Sequence, residues 1–131
     1  MLNLKDPSDK IVYEMHQYLD GGAGKDKECV SSTIGQERIA NATQWLKMNK
    51  KKAVLGEFAG GDTPTCKNAV TGLLEAMAAA NDVWMGAIWW GGGAMWDDGS
   101  KGTEEYPYRM EPPKGVAYTA YADTLAKYVS K

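Results

Sequence analysis

Apolar residues cluster along residues 10–18, KIVYEMHQY, after the breaker pair Asp6-Pro7. The stretch is rich in β-branched and aromatic residues and predicts a strand with Val12, Glu14, His16 and Tyr18 on one face. A glycine-rich polar segment, 19–32, follows. Ile39, Ala42, Trp45 and Leu46 form an apolar stripe at helical spacing, so a helix is predicted to about Asn49, with Ser32 or Thr33 as its cap. Lysines crowd residues 47–52, where the negative end of a helix dipole favours them. A short strand is predicted at Ala53–Phe58. After a glycine turn, a second helix runs from Thr63-Pro64 to about Ala80, with Val70, Leu73, Leu74 and Met77 facing the core. A third strand, Val83–Trp90, precedes a long segment rich in Gly, Trp and Asp (91–113) and a last helix from about Val116 to Val129.

Strands alternating with helices of this length predict an α/β protein of three βα units, with parallel strands joined by right-handed crossovers. In such sheets functional groups gather at the carboxyl ends of the strands, because the turns into the helices lie together there. The words that end the three strands are therefore the place to look for chemistry. Glu57 closes an apolar run in VLGEFAGG, His16 and Tyr18 end the first strand, and Trp90 ends the third. A carboxylate, an imidazole, a phenol and an indole are predicted to meet at one rim.

Composition narrows the reading. With 131 residues, 44% of them hydrophobic, and 15 glycines, the chain suits one domain spanning 1–131. A formal net charge of −2 gives no footprint for nucleic acid or a membrane surface, so neither is expected as a partner. No apolar run approaches the roughly 20 residues of a membrane span. The opening MLNLKDPSDK lacks the apolar core of a signal peptide and reads as a cut end. Five Trp and seven Tyr stand against a single Phe. Trp and Tyr offer a flat apolar face with a polar edge, the surface on which sugar rings stack.

The runs VYEMHQYLD, CVSSTIGQER, TQWLK, GEFAGG and VWMGAIWW resemble the family 5 glycoside hydrolases, in particular fungal secreted endo-β-1,4-glucanases with a (β/α)₈ barrel. The resemblance covers about residues 4–128. It implies a partial TIM barrel acting on β-glucan, secreted, without metal or cofactor. It further implies Glu57 as the nucleophile, His16 and Tyr18 as the groups that orient it, and Trp90 as a floor for the sugar at the cleavage point. Trp96 is expected to add substrate contact. Cys29 and Cys66, the only cysteines, allow one bridge, and the resemblance implies that they form it. Glu14 is expected to be a buried hydrogen-bond partner one step deeper on the same face. The sequon Asn41-Ala42-Thr43 would accept a glycan in a secretory host.

A retaining glycosidase needs two carboxylates about 5–5.5 Å apart, one to attack and one to protonate the leaving oxygen. The family's acid/base lies in an Asn-Glu-Pro segment, and no Asn-Glu-Pro occurs here. Eight βα units need roughly 300 residues, whereas this chain supplies three units. Relatives carry a tryptophan after the last strand where this chain has Met95. Three parallel strands leave two open edges and one uncovered face, so completion by self-association as a homodimer is expected. The second carboxylate would then be the partner copy's Glu57 or Glu14, or Asp97 or Asp98 of the long loop. Three functions remain open: a reduced endoglucanase, a β-glucan-binding fragment without turnover, and a folding fragment.

Overall fold

The computed structural model describes residues 3–129. It contains β1 (Val12–His16), α1 (Ile34–Met48), β2 (Lys52–Phe58), α2 (Pro64–Ala78), β3 (Trp84–Trp89) and α3 (Val116–Leu125). The strands form one parallel sheet in the order β1-β2-β3, so each helix is the crossover or the cover that such pairing demands. All six predicted elements are present. β1 is shorter than predicted at both ends, leaving Tyr18 beyond the strand, and α3 stops at Leu125 rather than Val129.

The helices lie on one face of the sheet. Tyr13, Ala53, Leu55, Phe58 and Trp84 point into a core shared with Ile39 and Leu46 of α1 and Val70, Leu73 and Met77 of α2. α1 and α2 approach closely at Gly35, where a Cβ would lie 2.0 Å from the Ala69 carbonyl oxygen. Tyr121 of α3 is buried against Trp89, with ring centroids 4.8 Å apart.

The two predicted caps differ. Thr63, in extended conformation, accepts the Cys66 N–H at 3.2 Å, with Pro64 in the first turn of α2. Thr33 occupies the cap position of α1 without accepting a backbone N–H, and its hydroxyl instead donates to Glu37. Among the described residues, the opposite face of the sheet carries no helix. There Val12 and Ile88 are 42% and 59% exposed.

Candidate active site

Strict alternation along β2 would give Glu57 the same direction as Ala53 and Leu55, both buried under the helices. The pairing with β1 prevents this. Met15 pairs with Leu55, but His16 pairs with Glu57, so Gly56 is an extra residue in the ladder. Such a bulge re-aims the residue beside it. Glu57 therefore joins His16 on the open face, and Phe58 turns under the helices in its place. The glycine leaves room for the Glu14 side chain, since a Cβ there would lie 1.8 Å from Glu14 Oε1 and would push that carboxylate away from its place beside His16. Beyond β1 the ladder continues with the Gln17 N–H donating to the Glu57 carbonyl at 2.9 Å, which brings Tyr18 within reach.

Two side chains converge on one carboxylate oxygen. The Tyr18 hydroxyl donates to Glu57 Oε2, and His16 Nδ1 lies 3.2 Å from the same atom. Burial, then the hydrogen bond to Glu57 and its charge, push the Tyr18 phenol well above its ordinary pKa. Tyr18 thus stays a donor throughout the neutral range. His16 Nε2 meets Glu14 Oε1 at 2.6 Å. A neutral imidazole can donate to only one of these two carboxylates, and an imidazolium donates to both. Glu14 is not the buried partner expected from the sequence, because its side chain is 52% exposed on the uncovered face.

Aromatic rings line the same rim. The Trp90 N–H donates to the Phe58 carbonyl at 2.9 Å, extending the β2–β3 ladder by one step and setting the Trp90 ring beside Trp96, centroids 5.3 Å apart. Trp96 stacks on Tyr106 at 4.7 Å and 18°, and its indole N–H donates to the Gly92 carbonyl. Tyr106 meets Tyr108 edge-on at 5.4 Å, and Tyr108 lies nearly parallel to Tyr18 at 6.5 Å. The rings form a continuous row from Trp90 to Tyr18. Tyr106 and Tyr108 escaped sequence reasoning, although their i, i+2 spacing in EYPYRM was the available signal.

Cys29 and Cys66 form a disulfide with Cα atoms 5.1 Å apart, joining the loop after β1 to the first turn of α2. Asp97 and Asp98 engage groups of their own loop, Asp97 accepting from Thr103 Oγ1 and the Gly99 N–H, and Asp98 from the Ser100 N–H. Those contacts, the Thr103 hydroxyl foremost for Asp97 and Ser100 for Asp98, lower both carboxyl pKa values. In the sequon, the Thr43 hydroxyl is engaged by the Trp84 indole N–H at 2.8 Å and donates to the Ile39 carbonyl.

The chain is similar to the probable endo-β-1,4-glucanase B of Aspergillus oryzae, 55% identical over 130 residues that cover 98% of this chain and 37% of that protein. Endo-β-1,4-glucanase A of Emericella nidulans is 50% identical over 129 residues, 98% of this chain and 37% of its own length. The chain thus spans little more than a third of these relatives. Among solved structures, the enzyme XacCel5A in complex with cellopentaose superposes with a TM-score of 0.87 at 37% identity, covering 98% of this chain and 39% of that one. The endo-β-1,4-glucanase Xac0029 of Xanthomonas axonopodis pv. citri gives 0.85 at 34% identity, covering 98% and 40%. A family model described as Cellulase (glycosyl hydrolase family 5) matches residues 1–93. That match takes in well over half of the 131 residues, and the chain belongs to glycosyl hydrolase family 5.

Proposed function

We propose that the chain hydrolyses β-1,4-glucan with Glu57 as the nucleophile of a retaining mechanism. One observation carries the reading: the bulge at Gly56 turns Glu57 onto the open face, where Tyr18 and His16 both meet a single oxygen of its carboxylate. Donors on the anion favour the charged form that must attack the anomeric carbon. Trp90 supplies the floor under the sugar, and Trp96, backed by Tyr106, extends it. The three βα units correspond to the last three of a (β/α)₈ barrel, and residues 1–131 act as one truncated catalytic domain. The disulfide supports an extracellular location, since such bonds persist in oxidising compartments.

No Asn-Glu-Pro occurs in the 131 residues, and for this chain by itself the source we propose for the acid that protonates the leaving oxygen is a second copy. β1 and β3 are the edge strands of the sheet, and Val12 and Ile88 expose apolar surface on its open face. Two-fold association about an axis along the strands would cover both features and bring the partner's carboxylates to the same rim. Sedimentation at micromolar concentration is expected to show a dimer, and a single 14.3 kDa species would reject it. Release of reducing sugar from soluble β-1,4-glucan, abolished in Glu57→Gln, tests the hydrolytic reading. A second reading is binding without turnover. The row of rings from Trp90 to Tyr106 favours it, because it serves sugar stacking without a second carboxylate. Equal, negligible hydrolysis by the wild type and Glu57→Gln, with retained cello-oligosaccharide binding, selects that alternative.

A further inference from the structure

Asp20 is the only carboxylate buried in the interior among the described residues, 1% exposed, and it lies two positions after Tyr18. Its Oδ2 accepts the N–H groups of Lys25 and Asp26 at 3.0 Å and of Gly24 at 3.2 Å, and Gly24 also faces Oδ1 at 3.2 Å. Burial opposes ionisation here, but the N–H groups of Asp26, Lys25 and Gly24 outweigh it and hold the pKa below the ordinary carboxylate value. Arg38 fixes the start of the same segment by donating to the carbonyls of Tyr18 and Asp20. The result is a tight turn, residues 20–26, wound around one anion.

Both sides of that turn bear on the site. Gly24 has φ +82°, and a Cβ there would lie 2.5 Å from Tyr18 Cε1, so the turn is the wall against which the Tyr18 ring lies. Its carbonyls face the other way. The Gly24 carbonyl accepts the Tyr106 hydroxyl and the Asp26 carbonyl accepts the Tyr108 hydroxyl, each at 2.8 Å. Those two tyrosines belong to the long loop after β3 that carries Trp96.

We propose that Asp20 is a positioning residue of this site: its carboxylate winds the turn that seats the Tyr18 phenol on Glu57 and, through Tyr106 and Tyr108, anchors the Trp96 loop over the same rim. The proposal rests on the reading of Glu57 as nucleophile. It goes further, because it makes one buried anion hold the nucleophile's donor and the sugar-stacking rings in a common register.

Asp20→Asn keeps the shape but replaces a charged acceptor of three N–H groups with a single neutral oxygen. On soluble β-1,4-glucan it is expected to lower kcat about tenfold while KM changes less than about threefold, as mispositioning does. Combined with Tyr18→Phe, the losses are expected to be less than multiplicative, because both changes act on one contact. The Tyr18 ring resonances, assigned by their loss in Tyr18→Phe, are expected to move in Asp20→Asn, read by ¹H–¹³C NMR without any turnover. Should Glu57→Gln hydrolyse as fast as the wild type, the nucleophile reading fails, and the ring resonances alone decide the role of Asp20. Unmoved Tyr18 resonances, or fully multiplicative losses, overturn the proposal. If Asp20→Asn does not fold, Tyr108→Phe removes the hydroxyl that meets the Asp26 carbonyl and the Asp20 carboxylate, and is expected to shift the same resonances. Silence there overturns the proposal equally.

Discussion

The two faces of the sheet are built from alternate residues of the same strands, yet they end in opposite states. Toward the helices, Tyr13, Leu55, Phe58 and Trp84 are sealed in a core that the chain completes by itself. On the other face, Val12 and Ile88 stand open, as do Glu14 and His16. The helix face accounts for why 131 residues hold a fold. The open face carries the candidate site, and no element among the described residues covers it. Stability and function are therefore separable here by the direction in which a side chain points.

That separation can be broken from either side. Glu57→Gln is expected to lower hydrolysis by about 10⁴-fold or more, since an amide cannot form the covalent intermediate. Its thermal midpoint should stay within about 2 °C of the wild type; a large drop would mean that the open face also holds the fold. Phe58→Ala, one residue away but under the helices, should instead cost about 3–5 kcal/mol in denaturant unfolding, the usual loss for a core phenylalanine. Removing the bridge in Cys29→Ser/Cys66→Ser belongs to the same side and should cost about 3–4 kcal/mol in the chain-entropy model, read from the shift of the same unfolding curve. Tyr18→Phe and His16→Ala should each slow hydrolysis roughly 10²-fold with little loss of stability, because they position a carboxylate without attacking. The smallest effect on stability is expected of Ile88→Lys, within about 0.5 kcal/mol for an exposed side chain. The same variant should shift sedimentation toward monomer; an unchanged dimer would place the interface elsewhere.

Most of the fold was legible in the sequence because period and punctuation agree: the 3.6-residue stripe of α1, the Thr63-Pro64 start of α2, and the apolar runs of β2 and β3 leave little room for another assignment. Element ends were less so. Thr33 stands at the start of α1, but its hydroxyl prefers the Glu37 carboxylate to a backbone N–H, a choice no spacing rule predicts. That Glu57, His16 and Tyr18 would meet was read from their places at strand ends, whereas the way Glu57 reaches the open face was not. A Gly-Glu pair inside a strand reads as alternation, and only the pairing with β1 makes Gly56 a bulge. Glu14 was misjudged for a related reason, since its burial would need the covering layer that three strands lack. Asp20, Tyr106 and Tyr108 could not be linked from sequence, because the hydrogen bonds that join their loops span 82 residues.

One further contact bears on how the molecule is made. The glycine turn that follows Glu57 is held by the Tyr121 hydroxyl, which donates to the Gly61 carbonyl at 2.7 Å across 60 positions of sequence. A ribosome delivers the carboxylate first and its buttress last. Until α3 has emerged and docked, the Gly60-Gly61 backbone lacks the Tyr121 hydroxyl that holds it in the finished domain. The turn beside Glu57 thus settles only after α3 is made, and completion of the candidate site follows translation of that helix rather than of the strand that bears Glu57.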